Sequence, residues 1–200
     1  FSGIRGVVGS PGDDTLTGTT AVVSNAPYVI AMTGGAGNDT INGQGNNNNL
    51  ASYGAATSGV VINLQTSVDG SGRIIGQAQD GQGGTDTLIN VIRVFGSRFD
   101  DRITGSSAAD QFTGSLGNDT YNGGTGAVSD VLRYDNLPTG YIIDARVGAP
   151  LAGLFGLGTV TVYKNSTTGG TNYVDTGSNI NQIRGTSGND ALVGTDAAYS

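Results

Sequence analysis

Single apolar residues punctuate long polar and glycine-rich stretches, and over part of the chain they do so at a fixed interval. From Gly96 the sequence runs Gly-Ser-Arg-Phe-Asp-Asp-Arg-Ile-Thr, Gly-Ser-Ser-Ala-Ala-Asp-Gln-Phe-Thr, then Gly-Ser-Leu-Gly-Asn-Asp-Thr-Tyr-Asn. Each block of nine has glycine first, aspartate sixth and an apolar residue eighth. An apolar residue between two polar ones predicts a short strand with one side chain inward and its neighbours outward. The six positions before it, rich in Gly, Asp, Asn and Ser, predict a tight turn. Residues 34–42 fit the block at every place, and residues 9–17, 81–89 and 185–193 fit with one or two departures. In residues 43–51, Asn48 stands where the aspartate is expected.

A longer repeat contains the short one. Ile4-Arg5-Gly6 leads to Asp13-Asp14-Thr15-Leu16-Thr17-Gly18; Ile92-Arg93 leads to Asp100-Asp101-Arg102-Ile103-Thr104-Gly105; Ile183-Arg184-Gly185 leads to Asn189-Asp190-Ala191-Leu192-Val193-Gly194. Between these openings, Gly37-Asn38-Asp39-Thr40-Ile41-Asn42-Gly43 answers Gly117-Asn118-Asp119-Thr120-Tyr121-Asn122-Gly123. Tyr53 with Gly59-Val60-Val61-Ile62 answers Tyr134 with Gly140-Tyr141-Ile142-Ile143, and Asp86 answers Asp175. Internal repetition of this kind is the mark of a stacked architecture. The matches predict one unit over 1–87, a second over 88–177 and the start of a third over 178–200, in one continuous solenoid. The linking stretches, about 50–95 and 131–182, are expected to continue the stack as longer, less regular coils or side-by-side strands.

Composition removes the alternatives. Glycine supplies 36 of 200 residues, all sixteen acidic residues are Asp, and Lys164 is the sole lysine. Glu, Lys and Gln normally clothe helices, whereas Gly, Asn, Asp and Thr favour turns and strands, so the fold class is all-β. The chain has no Cys and no His, which excludes disulfides, zinc–thiolate sites, a thiol nucleophile and a histidine base. A formal charge of −7 speaks against nucleic acid and anionic membrane, and no apolar run is long enough to cross a bilayer as a helix. The same acidity suits hard cations. The first residue is Phe1 rather than Met, which suggests a processed form or a segment of something longer.

The nonapeptide resembles the calcium-binding repeat of repeats-in-toxin (hemolysin-type) proteins, which implies a parallel β-roll or β-solenoid and Ca²⁺ as the bound ion. In that family two nonapeptides make one turn, and each ion sits between neighbouring loops, held by both sixth-position carboxylates and by carbonyls of the glycine-rich turn. Asp101 and Asp119, 18 residues apart, then share one ion. Asp110 and Asp130 share another across a two-residue insertion at 127–128. Asp39, Asp14, Asp190 and Asp86 are further metal candidates, with carbonyl ligands expected from Gly34, Ala36, Gly114 and Leu116. An insertion at 19–33 leaves two outcomes open for Asp14: it loops out, or the Asp14 site is rebuilt. Asp86 lies only 15 residues before Asp101, out of simple register, and Asn48 offers only a neutral oxygen. Phe99 and Ala108 stand where other loops have a fourth-position glycine, which alters the turn there. Isolated Gly-Asn-Asp turns need no metal, because Asp and Asn hydrogen-bond their own backbone; the contiguous run 96–132 favours ligation. Tyr53 and Tyr134 are expected as packing residues at equivalent coils, and Asp69 as a turn residue.

No Gly-x-Ser-x-Gly, His-Glu-x-x-His or Walker loop occurs, so the chain itself is not expected to be an enzyme. The expected role is a calcium-stabilised extracellular repeat module of a bacterial surface layer, filament or adhesin, secreted or on the cell surface. Expected partners are copies of itself, head to tail or in tandem, and a surface glycan, without nucleic acid or membrane insertion. The alternative is a calcium-dependent folding and export module of a larger secreted enzyme or toxin.

Overall fold

The computed structural model describes residues 5–20, 29–46, 48–126, 129–147 and 159–193. The bulk of the 19–33 insertion and all of 127–128 lie outside the described residues, as do 1–4 and 194–200.

Every described element is a strand. The first eight are β1 (Gly6–Val8), β2 (Thr15–Thr17), β3 (Ile30–Thr33), β4 (Thr40–Asn42), β5 (Asn49–Ser52), β6 (Val61–Val68), β7 (Ile74–Gln79) and β8 (Thr85–Ile89). The next eight are β9 (Arg93–Phe95), β10 (Arg102–Thr104), β11 (Gln111–Thr113), β12 (Thr120–Asn122), β13 (Val131–Arg133), β14 (Tyr141–Val147), β15 (Val160–Ser166) and β16 (Tyr173–Ser178). Two more, β17 (Gln182–Arg184) and β18 (Ala191–Val193), restart the series.

The chain alternates between two sheets, as a β-roll requires. One sheet has seven strands in the order β1-β3-β5-β9-β11-β13-β17, all parallel. The other has eleven, in the order β18-β14-β15-β16-β12-β10-β6-β7-β8-β4-β2. Strands of the contiguous run stack in register: Arg102 opposite Thr120, and Gln111 between Arg93 and Val131. The eighth position of the regular nonapeptides points inward, and Ile41, Ile103, Phe112 and Tyr121 are each exposed by 1% or less. Met32, Ala51, Val94 and Leu132 fill the same row from the seven-stranded sheet. Three-residue strands such as β4, β10 and β12 each bury a single apolar side chain, worth about 1.5–3 kcal/mol, so no coil is stable without its neighbours.

The linking stretches run mainly as side-by-side strands, and part of them runs antiparallel. Strands β6, β7 and β8 form an antiparallel meander inside the larger sheet: β8 lies parallel on β4, β6 parallel to β10, and β7 antiparallel between them. Strands β14, β15 and β16 repeat the device between β18 and β12. The larger sheet is therefore mixed. A compact turn reverses the chain between β6 and β7. Asp69 Oδ1 accepts the Ser71 and Arg73 N–H groups, Asp69 Oδ2 pairs with Arg73 Nε at 2.7 Å, and Gly72 takes φ +78°. The polar-turn role expected of Asp69 is the one it has. Strand β8 crosses the 87/88 division drawn from the sequence.

Candidate metal centre

Each sixth-position aspartate sits in the turn just before a short strand, so stacking the strands stacks the carboxylates. Their Oδ1 atoms accept the backbone N–H of the neighbouring coil: Asp14 N–H to Asp39 (2.9 Å), Asp39 to Asp86 (3.0 Å), Asp101 to Asp119 (3.0 Å) and Asp119 to Asp175 (2.9 Å). Val60 and Ile143 donate in the same way to Asp101 and Asp190. A second row runs along the other edge, where Asp110 N–H reaches Asp130 and Asp130 N–H reaches Asn181. The Asp101–Asp119 and Asp110–Asp130 pairs are thus neighbours on adjacent loops.

The geometry decides the open question at Asp14 and corrects two expectations. Asp14 is in register with Asp39, because Thr15 pairs with Thr40 despite the insertion between them. Asp86 is also in register: the meander returns β8 to β4, so a distance counted along the chain does not measure its place in the stack. Asn49, not Asn48, takes the aspartate position of its loop. Its carboxamide is 1% exposed, accepts the Thr19 N–H and donates to the Gly43 and Thr19 carbonyls. The structural correspondence of the units also differs from the sequence matching, since Val60, not Ile62, is the counterpart of Ile143 at the ladder.

First-position glycines make room for the carboxylate of their own loop. A Cβ on Gly34, Gly96 or Gly185 would lie 2.0–2.2 Å from Oδ2 of Asp39, Asp101 or Asp190. Gly37 and Gly117 take φ of +114° and +98°, whereas Phe99 and Ala108 are not among the non-glycine residues with positive φ, so their turns follow a different path. In those two loops a second-position serine completes the turn. Ser97 Oγ accepts from Phe99 N–H and donates to Asp101; Ser106 Oγ accepts from Ala108 N–H and donates to Asp110. Thr186 serves Asp190 likewise. These hydroxyls escaped the sequence reading, although a Ser or Thr after the first glycine was there to be noticed.

Lys164 and Asp175 were also missed. Lys164, fully buried, places Nζ 3.1 Å from Asp119 Oδ2, 2.5 Å from Asp175 Oδ1 and 2.7 Å from the Ser115 carbonyl. Ser115 lies between Gly114 and Leu116, whose carbonyls were expected to hold metal. The cation at that point of the loop is an ammonium. Gly114 itself backs onto the Tyr134 ring rather than onto a carboxylate. Gly34 stands against Asp39 Oδ2, and Ala36 is half-buried on the same loop. The signal for Lys164 was its rarity: it is the one lysine in a chain of sixteen aspartates. Tyr53 and Tyr134 do more than pack, donating their hydroxyls to Asp86 at 2.9 Å and Asp175 at 2.7 Å.

Burial pushes the row of carboxyls up. Asp86, Asp101 and Asp130 rise to about 6 and Asp110 to about 7, with neighbouring aspartates adding to the rise for Asp86, Asp101 and Asp110 and N–H bonds opposing it throughout. Asp119 is also raised by burial, with the Lys164 charge pulling it back. Buried stacked carboxylates of like sign call for a counter-cation. Carboxylate and carbonyl oxygens at close-packed glycine turns are the donor set that Ca²⁺ takes, and Asp39 Oδ2 is buried without a hydrogen-bond partner. Among the described residues no three acidic side chains form a ready-made cage, in keeping with sites that draw on two loops and their carbonyls.

Comparison with known families agrees. The RTX calcium-binding nonapeptide repeat matches in four copies, over residues 32–52, 95–127 and 166–197. No curated protein matches the chain significantly. The matched segments contain Asp39, Asp101, Asp110, Asp119, Asp175 and Asp190, while Asp14, Asp86 and Asp130 of the same rows lie outside them. Over these segments the chain carries RTX calcium-binding nonapeptide repeats, and the ion such repeats bind is calcium.

Proposed function

We propose that this calcium-binding module is an extracellular structural element, a repeat of a bacterial surface layer, filament or adhesin, that associates with copies of itself along the roll axis. The observation that carries this reading is that all described strands belong to the two stacked sheets; the described chain is given over to building the stack. Its outermost strands support continuation, with Val8 on β1 75% exposed and Leu192 on β18 54% exposed, and such edges invite pairing with another chain. RTX repeat proteins are typically secreted or surface-associated, where millimolar calcium suits extracellular modules of about 10⁻⁴–10⁻³ M affinity. Electron microscopy of the chain in millimolar calcium tests the proposal: filaments or sheets that dissolve on chelation are expected. Monodisperse particles at high concentration would remove self-association and leave the folding-and-export role in a larger secreted protein.

A further inference from the structure

The two units share one ladder but carry opposite charge at one of its positions. Hydrogen bonds fix the correspondence. Thr85 N–H donates to Asn38 as Val174 N–H donates to Asn118, and the Asp39 and Asp119 N–H groups donate to Asp86 and Asp175. On the middle strands of the meanders, Ala78 pairs with Asp86 and Val162 with Asp175. Two residues further on, facing the same interior, stand Asp80 and Lys164, exposed by 1% and 0%. Asp80 lies opposite Gly84 through an N–H···O bond, and Lys164 lies opposite Tyr173. An aspartate thus takes the place of the lysine.

The surroundings changed with it. Asp119 Oδ2 has three donors: Ser115 Oγ at 3.4 Å, the Tyr121 hydroxyl at 3.2 Å and Lys164 Nζ at 3.1 Å. The counterparts around Asp39 are Gly35, Ile41 and Asp80, which supply no donor. Asp39 Oδ2 and Asp80 Oδ2 are both buried with no hydrogen-bond partner. Asp80 Oδ1 is occupied, accepting the Gln82 and Gly84 N–H groups at 2.8 Å. That turn role accounts for one oxygen and leaves the other without a reason to be buried.

We propose that Asp39, Asp80 and Asp86 hold a calcium ion at the place where the second unit holds its own cation, the Lys164 ammonium. In the second unit Nζ meets two carboxylates and a loop carbonyl, oxygens that a hard cation also takes. Three carboxylates in the first unit match a divalent ion better than a single ammonium. Asp80 lies outside the sixth position of any nonapeptide, so this ligand comes from the meander and not from the repeat. Its charge acts on both Asp39 and Asp86; as they stand, the three carboxylates do not form a ready-made cage. The Gly35 carbonyl, counterpart of the Ser115 carbonyl, accepts from Gln82 Nε2 at 3.0 Å and has a second lone pair to offer. An open groove of about 520 Å³, lined by Thr57–Gly59 and Gln79–Thr85, reaches Asp80 and gives a hydrated ion its way in.

Calcium titration calorimetry on the whole chain tests this. Asp80→Asn keeps the Oδ1 acceptor of the turn and removes the charge. It is expected to bind one calcium ion fewer per chain, and an unchanged stoichiometry would overturn the proposal. Lys164→Asp, the reverse exchange, is expected to bind one ion more in calcium; no gain counts against the shared position. Asp80→Lys supplies the ammonium and is expected to melt higher than the parent chain in chelator, whereas a lower melting temperature contradicts the exchange of cations.

Discussion

Lys164 shows how much one side chain decides in a roll made of small residues. Its ammonium neutralises part of a fully buried pair, Asp119 and Asp175, that no solvent reaches. Removing one partner of a buried ionic cluster leaves uncompensated charge and typically costs about 3–5 kcal/mol. Lys164→Met is expected to lose that much in urea denaturation under chelation, with millimolar calcium restoring a large part. Equal losses with and without calcium would mean that the lysine's place admits no ion. The carboxylate rows were legible in the sequence because position six of a nine-residue period is a spatial address once strands stack in register. Asp101–Asp119 and Asp110–Asp130 were found that way. Lys164, Asp80 and Asp175 were not, because they reach the row from meanders whose lengths differ between units: six residues separate Asp80 from Asp86, and eleven separate Lys164 from Asp175.

At the scale of elements, the meanders distinguish this roll from a plain stack of nonapeptides. The all-β class and the short strands followed from the apolar eighth position and from the glycine-rich turns. The antiparallel return of β7 and β15 did not, since alternating apolar positions look the same whichever way a strand runs. What the sequence held was the turn at Asp69–Arg73 and a glycine in mid-strand. Gly76 lies where a Cβ would come within 2.4–2.7 Å of the Asn63 and Leu64 backbone, beside the register shift between Asn63 and Ser67. Glycine within a strand often marks such a close approach. Gly76→Ala is expected to destabilise by about 1–3 kcal/mol, the usual cost of overpacking. Gly72→Ala, in open space at positive φ, is expected to cost about 1–2 kcal/mol, from conformation alone. Thermal melts of both variants check the comparison; a neutral Gly76→Ala would mean that β6 and β7 are not in contact there.

For the whole molecule, the raised carboxyls set opposite pH responses with and without calcium. Asp86, Asp101, Asp110 and Asp130 bind protons more tightly folded than unfolded, with folded values of about 6 to 7 against an ordinary 3.8. Their protonation therefore adds stability as pH falls through 7 toward 4, and that contribution is absent above the folded values. In chelator, circular-dichroism melts are expected to shift upward from pH 8 to pH 5. In saturating calcium the shift is expected to reverse, because the ligands must be ionised to hold the ion; parallel slopes would show that these carboxylates hold no calcium. The meanders also fix the order in which the roll can grow. Strand β6 is laid down three places beyond the free edge at β4, and the two-strand gap is filled backwards; β14 repeats this beyond β12. A chain folding from its first residue adds coils one at a time only as far as β5. It must then close β6, β7 and β8 together, joining Asp39 to an aspartate 47 residues further on, before the larger sheet offers β10 a strand packed on the stack. Such closures cost loop entropy before any contact repays it. Growth therefore proceeds in short runs of fast addition separated by one slow, cooperative step in each unit, and the calcium site proposed at Asp39, Asp80 and Asp86 is assembled only by that step.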